Sequence, residues 1–241
     1  FYIENSDARA VVFQGISAEA EAGSKEAQAS CRIAIGDRAI EDAGAISFEQ
    51  MIAEPAPDAD PRARADAWSV MLYTSGTTSR PKGVPRRHYV ERAASLAHVA
   101  QNLYGRYERT LGVMPLYHTM GVRSLIAMSL IGGRFVCLPR YDAPAALALI
   151  AAEKITNLYL VPTLYHDLVH AREFAAADVS SVRKLGFAGA AMTDGLLKVL
   201  SEAFKPDLFV NHYGSSEIYT FTIEQNAAAK PGSAGKAGIN Q

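Results

Sequence analysis

Short apolar runs alternate with helix-like stretches along this chain, and that alternation is the feature that most constrains its fold. Runs such as Asn157–Val161 and Asp207–His212 are continuously apolar at their centres, as strands buried on both faces are. Between the runs lie segments with helical spacing, such as Ala143–Lys154, for which Asp142 is the predicted N-cap and Pro144 falls in the first turn. This order predicts an α/β fold with layered parallel sheets flanked by helices.

The remaining predicted elements follow the same two patterns. Further strands are predicted at Ala8–Phe13, Cys31–Ile35, Trp68–Tyr73, Arg109–Met114, Arg134–Leu138 and Val182–Ala188. Further helices are predicted at Ala18–Ala29, Arg87–Leu103, Met120–Ile131, Pro162–Ala171 and Thr193–Phe204. The clearest break is Glu54–Pro61, whose three prolines and three acidic residues predict an exposed connection. A second seam near residue 105 would divide the chain into α/β subdomains 1–105 and 106–241.

Composition excludes several classes of function. The net charge of -1 provides no bulk attraction to nucleic acid or to an anionic membrane. The most apolar stretch, Ser124–Gly133, is about half the roughly 20 residues that a membrane-spanning helix needs. Cys31 and Cys137 are far apart in sequence, so a disulfide framework is not expected. A cytoplasmic location is expected instead.

The segment Tyr73–Val84, "YTSGTTSRPKGV", indicates a phosphate-binding loop. A glycine-rich loop that leaves the carboxyl end of a strand is a usual place for phosphate. Its hydroxyl groups and amides can donate to phosphate oxygens, and its lysine adds a mobile positive charge. A solvated connector is the alternative on composition alone. A P-loop NTPase is disfavoured because the spacing G-x-x-x-x-G-K is absent.

This segment resembles the phosphate-loop signature of the adenylate-forming superfamily, which includes acyl- and aryl-CoA synthetases, luciferases and the adenylation domains of peptide synthetases. Four further segments resemble that superfamily in the same order: "MPLYHTMG" (Met114–Gly121), "NLYLVPTLYHDL" (Asn157–Leu168), "LGFAGAAMTDGLL" (Leu185–Leu197) and "NHYGSSEIYT" (Asn211–Thr220). The likeness is strongest to benzoate- and 4-halobenzoate-CoA ligases. It implies an ATP-dependent carboxylic acid–CoA ligase that forms an acyl-adenylate from an aromatic or medium-chain acid.

The resemblance assigns nucleotide, metal and catalytic roles to particular residues. The β- and γ-phosphates of ATP would be held by Thr74, Ser75, Gly76, Thr77, Thr78 and Lys82. The adenylate would be held by Gly189, Ala190, Ala191, Tyr213, Gly214 and Ser216. Glu217 would bind Mg²⁺, and the catalytic residues would be His118, Lys82 and Glu217. Taken singly, Glu217 could be a solvated carboxylate at a helix start and His118 an ordinary core histidine.

The acid would lie in a pocket whose expected lining is His118, Tyr165, Phe187 and Ile218. The last three could equally belong to the general core. "PLYHTMG" carries no acidic residue to pair with an amino group, which disfavours amino acid substrates. CoA is the expected co-substrate, and a homodimer is a further expectation.

Two departures from the superfamily pattern affect the prediction. Ser79 stands where the phosphate loop usually has glycine, so the loop is either strained or takes another path. The chain also stops before the superfamily's ribose-binding aspartate, hinge and lysine-bearing C-terminal domain. We therefore expect the central part of a large N-terminal domain, inactive on its own. The alternatives are a non-catalytic nucleotide-binding relative and an acyl-AMP ligase that loads a carrier protein.

Overall fold

The computed structural model describes residues 1–14, 17–36, 44–56, 63–75 and 80–239, which form two compact units that divide between Arg64 and Ala65. The division falls shortly after the predicted exposed connection Glu54–Pro61. It does not coincide with the predicted seam near residue 105. The helix before that seam packs against the helix after it, so residues 65–105 belong to the second unit.

The first unit, Phe1–Arg64, is built on a small parallel sheet. Its described strands pair in the order β1 (Ala10–Gln14), β2 (Cys31–Ile35) and β3 (Ile46–Ser47). Its described helices are α1 (Tyr2–Asn5), α2 (Ala18–Glu26) and α3 (Phe48–Ala53). Phe13 and Ala34 form its buried centre.

The second unit begins with two antiparallel strands, β4 (Trp68–Thr74) and β5 (Lys82–Arg87). The predicted phosphate loop connects them and therefore joins an antiparallel pair, not two strands of the predicted parallel sheets. A parallel partner requires a crossover of about a dozen residues or more, and only residues 75–81 separate these strands. Helix α4 (His88–Gln101) follows β5 directly.

The main sheet of the second unit contains seven strands among the described residues, in the order β12-β11-β10-β9-β8-β6-β7. The five strands from β10 to β7 run parallel, and β11 and β12 add an antiparallel edge. Their bounds are β6 Arg109–Gly112, β7 Arg134–Cys137, β8 Asn157–Leu160, β9 Lys184–Phe187, β10 Leu208–Tyr213, β11 Thr222–Glu224 and β12 Lys236–Ala237.

The helices that cover this sheet begin within one residue of their predicted starts. They are α5 (Thr119–Leu130), α6 (Ala143–Glu153), α7 (Pro162–His170) and α8 (Asp194–Phe204), with a 3₁₀ turn at Phe174–Ala176. Asp142 caps α6 by accepting from the backbone N–H of Ala145 at 3.0 Å, and Thr193 caps α8 by accepting from Leu196 at 3.3 Å. All four residues of β8 are buried in the core. The predicted layered α/β fold is confirmed.

Among the residues that the structure describes, no helix combines the length and the apolar composition that crossing a bilayer demands.

Candidate active site

A groove runs along the carboxyl edge of the parallel sheet in the second unit. Because neighbouring parallel strands end at the same edge, the residues that follow them meet there. Met114 follows β6, Val161 follows β8, Gly189 follows β9 and Gly214 follows β10, and all four line this groove, whose volume is about 260 Å³. We call it the edge groove. The strand order therefore brings the superfamily-like segments together although they are distant in sequence.

His118 lines the edge groove at the N-terminus of α5. The turn that presents it requires glycine at position 121, since a β-carbon there would lie 2.3 Å from the backbone oxygen of Pro115. The side chain of His118 is exposed, and the first N–H groups of α5 lack helical partners. The positive end of the helix dipole and a histidine thus face the groove together, an arrangement that favours an anion.

Ser216 and Glu217 occupy the tip of a tight turn between β10 and β11. The N–H of Ser215 donates to the carbonyl of Ile218 at 2.8 Å, and the N–H of Ile218 donates to the Ser215 hydroxyl at 3.2 Å. Ser216 lines the edge groove, and the exposed Glu217 lines a second groove on the other side of the turn. The two oxygen-bearing residues are therefore adjacent in the chain but line different grooves.

Tyr219 separates the two grooves. It lines the edge groove and also the second groove, which has a volume of about 330 Å³ between α4 and residues 217–220. The guanidinium of Arg123 lies 4.4 Å from the centre of the Tyr219 ring. The Tyr219 hydroxyl lies 3.1 Å from that of Tyr159, another edge-groove residue. The guanidinium over its ring and the contact at its hydroxyl thus fix Tyr219 as a wall.

Arg86 connects β5 to the turn that carries Ser216 and Glu217. Its guanidinium donates to the backbone carbonyl of Ser216 and lies 3.4 Å from the hydroxyl of Thr119. This contact could not be predicted from the sequence, because it depends on a partner 130 positions away. The only signal in the sequence is a basic residue shortly after the predicted phosphate loop.

Only part of the predicted phosphate loop lies among the described residues. Thr74 and Lys82 lie opposite each other in the β4–β5 ladder, at the base of the loop. Lys82 and Ser75 are exposed. Gly76, Thr77, Thr78 and Ser79 lie outside the described residues.

The other predicted site residues divide between the surface and the core. Ala190, Ala191 and Tyr213 are exposed, and the Tyr213 ring lies 5.9 Å from that of Phe221. Tyr165 and Phe187, which could have lined the acid pocket or belonged to the general core, lie in the hydrophobic core. The Tyr165 hydroxyl is directed at the backbone carbonyls of Leu158 and Gly186, both at 2.9 Å.

Ile218 was also predicted to line the acid pocket. Among the described residues it lines the second groove and not the edge groove. It sits in the turn beside Glu217, with 40% of its surface exposed. A medium-sized apolar side chain therefore lies on the opposite side of Tyr219 from His118.

A buried polar network lies behind the Tyr219 wall. The Tyr219 hydroxyl and the Asn102 amide lie 2.8 and 3.0 Å from Nδ1 of His98, and Nε2 of His212 lies 3.1 Å from the Asn102 amide oxygen. Burial, followed by electrostatic interactions with His212 and Arg123, lowers the pKa of His98 well below its usual value. Burial lowers the pKa of His212 to about 3. Both imidazoles are therefore neutral at pH 7.

Residues 1–241 match the family model described as AMP-binding enzyme. The chain belongs to the AMP-binding enzyme family. Among curated relatives of this family member, 4-chlorobenzoate–CoA ligase of Pseudomonas sp. (strain CBS-3) is 38% identical over 150 residues, which cover 61% of this chain and 28% of the relative. Indoleacetate–CoA ligase of Aromatoleum aromaticum (strain DSM 19018 / LMG 30748 / EbN1) is 31% identical over 206 residues, which cover 80% of this chain and 39% of the relative.

The fold of this AMP-binding family member is also that of a solved structure, the N-terminal domain of FACL13 from Mycobacterium tuberculosis. The two superimpose with a TM-score of 0.83 at 22% identity, over 98% of this chain and 59% of the other. This likeness confirms the expected N-terminal-domain fold. The chain spans about a third of the length of the curated relatives it matches.

Proposed function

We propose that this chain is the acid- and nucleotide-binding part of an ATP-dependent carboxylic acid–CoA ligase that works through an acyl-adenylate. The observation that carries the proposal is the edge groove, where His118, Gly189 and Ser216 converge from three separate superfamily-like segments. The ligase names of the curated relatives support the same reaction class.

The reaction joins two anions, so the site must compensate negative charge. A carboxylate oxygen of the acid attacks the α-phosphorus of ATP, the new O–P bond forms, and the bond to pyrophosphate breaks. A thiol then attacks the acyl carbon and AMP leaves. The N-terminus of α5 and His118 are suited to the carboxylate, and the hydroxyl of Ser216 is suited to the α-phosphate.

The residues present fit a magnesium–ATP complex. Mg²⁺ prefers oxygen ligands and commonly takes one or two protein carboxylates together with substrate phosphates and water. Glu217 offers an exposed carboxylate at the tip of the turn, next to Ser216. Bound there, the ion would offset phosphate charge, while Lys82 and Thr74 at the base of the loop would hold the outer phosphates.

The wall formed by Tyr219 and Tyr159 favours a compact acid. Both rings line the edge groove, and the part of it between them and His118 suits a single aromatic ring or a medium-length chain. The aromatic acids in the names of two curated relatives, 4-chlorobenzoate and indoleacetate, agree with this size. We therefore propose an aromatic acid as the substrate class, and CoA as the acceptor.

The proposal is tested by acid-dependent exchange of labelled pyrophosphate into ATP, catalysed by the full-length protein. We expect exchange with substituted benzoates and arylacetates, weaker exchange with long-chain fatty acids, and thioester formation when CoA is added. Absence of exchange with every acid in a panel of benzoates, arylacetates and fatty acids would contradict it. Exchange without subsequent use of CoA would assign the acceptor role to a carrier protein.

Replacing His118 with alanine is expected to weaken recognition of the acid more than that of ATP. Loss of one hydrogen bond to a charged group corresponds to a KM for the acid that rises roughly 10- to 100-fold, with the KM for ATP changed far less. Steady-state exchange kinetics measure both constants. His166→Ala is the matched control, because His166 is also exposed but lies on α7 outside the edge groove. An equal rise in both KM values would argue against a carboxylate contact.

A further inference from the structure

Three charged side chains form a buried cluster behind the Ser216 turn. Arg86, Glu91 and Arg123 are 6%, 2% and 0% exposed. Arg86 Nη1 lies 3.0 Å from one Glu91 carboxylate oxygen, and Arg123 Nη1 lies 3.2 Å from the other. Arg123 Nη1 also donates to the Glu91 carbonyl at 2.9 Å and to the Ser95 hydroxyl at 2.7 Å. The cluster joins β5, α4 and α5.

The charge of this cluster does not cancel. Two guanidinium groups share one carboxylate, so one positive charge remains in a place with almost no access to water. In many proteins the free-energy cost of removing ions from water exceeds the gain from pairing them closely. Apolar residues of similar size at these positions would therefore stabilise the fold at least equally. Burial lowers the pKa of Arg123 from its ordinary value, which shows the same cost. Such a cluster is better explained by the neighbouring residues that it positions than by the stability that it adds.

The cluster holds the turn of the candidate site through Arg86. One arm of the Arg86 guanidinium faces Glu91, and the other donates to the Ser216 carbonyl. That second arm also lies 3.4 Å from the hydroxyl of Thr119, the residue after His118. A planar guanidinium fixed on one side by a carboxylate can hold both acceptors in a defined geometry, which the flexible ammonium of lysine cannot.

We propose that Arg86 is a positioning residue that fixes the Ser216–Glu217 turn relative to the start of α5, with Glu91 and Arg123 fixing Arg86 in turn. The role in catalysis rests on the proposed ligase function, whereas the role in holding the turn does not. The remaining positive charge of the cluster also lies beside the turn that would carry the phosphates, where it favours anions.

The test compares Arg86→Met, Arg86→Lys and Arg87→Met in the full-length protein. Arg87 is the matched control because it is the next residue of β5 and instead stacks on Trp68, with its guanidinium 4.4 Å from the ring centre. Amide hydrogen exchange of peptides covering residues 213–221 is the first readout. Exchange there is expected to accelerate in Arg86→Met, less in Arg86→Lys, and not in Arg87→Met. Unchanged protection in both Arg86 variants would overturn the proposal, whether or not the protein is a ligase.

Pyrophosphate exchange is the second readout. A displacement of the turn by about 1 Å is expected to lower kcat/KM for ATP by about 100-fold in Arg86→Met. The loss should be much smaller when Glu217 has already been changed to Gln, because both changes act through the same turn. Full additivity of the two losses would overturn the proposal. If Arg86→Met does not fold, Arg86→Lys decides: wild-type kinetics would overturn the proposal, and a lowered kcat/KM for ATP with an intact fold would support it.

Discussion

Replacing Gly214 with alanine is expected to lower the rate of adenylation by about 100-fold. A β-carbon at this position would lie 2.0 Å from the carbonyl oxygen of Tyr219, 2.7 Å from its carbonyl carbon and 3.0 Å from the α-carbon of Thr220. All three are backbone atoms, so no rotamer change relieves the clash and the two sides of the turn must separate. Ser216 and Glu217 lie between them and would be displaced.

The size of the effect follows from the precision that such a site requires. A shift of about 1 Å is expected to cost about 100-fold in the rate of pyrophosphate exchange, and overpacking adds a loss of about 1–3 kcal/mol in the free energy of unfolding. Gly195→Ala is the control: no atom lies within 4 Å of a β-carbon there, and the residue is in α8, where alanine is favoured over glycine. Wild-type exchange by Gly214→Ala would refute the described geometry of the turn.

Acidification to pH 5 is expected to destabilise the fold strongly, because His98 and His212 are buried as neutral imidazoles. Their folded-state pKa values lie below the ordinary 6.5, with that of His212 at about 3. Below pH 6.5 the unfolded chain therefore binds protons that the folded chain does not, so stability falls as pH decreases and is fully retained above pH 6.5. Each group contributes a loss of about 1.4 kcal/mol per pH unit until its folded pKa is reached.

The free energy of unfolding, measured by urea denaturation of the full-length protein, is expected to fall between pH 6.5 and pH 5, with about 2 kcal/mol of the loss from His212 and a further loss from His98. The groups that face His98 are His212, Arg123, the Asn102 amide, the Tyr219 hydroxyl and the rings of Tyr104 and Tyr159, so no carboxylate among the described contacts offsets the added charge. His212→Asn should reduce the pH-dependent loss, because His98 alone then remains to bind the extra proton on unfolding. His88→Asn, at an exposed position, should leave it unchanged. A flat profile in the wild type would show that these histidines are hydrated.

Most helix and strand positions of this chain could be predicted because their signals are local. The capping residues Asp142 and Thr193 act on amides three positions away, and the buried strand Asn157–Leu160 is apolar at every position except its first. The parallel order of such strands then places their carboxyl ends at one edge, which is why Gly189 and Ser216 could be expected near each other.

The rest of the candidate site depends on contacts that no local pattern encodes. Tyr165 and Phe187 lie next to groove-forming segments, but which face they take is decided by packing between α7 and the sheet, and both turn to the core. Arg86 reaches Ser216 only because β4 and β5 pair as an antiparallel hairpin. The dividing role of Tyr219 follows from its contact with Arg123, 96 positions earlier in the chain, and was likewise not predicted.

The most direct test of the account is a crystal structure of the full-length protein with a non-hydrolysable benzoyl-adenylate mimic. The acyl group is expected between His118 and the Tyr219 wall, the phosphate surrogate beside Ser216, and the base near Gly189. Binding of the mimic away from the edge groove, with Ser216 and Gly189 untouched, would contradict the proposal that this edge of the sheet forms the adenylate.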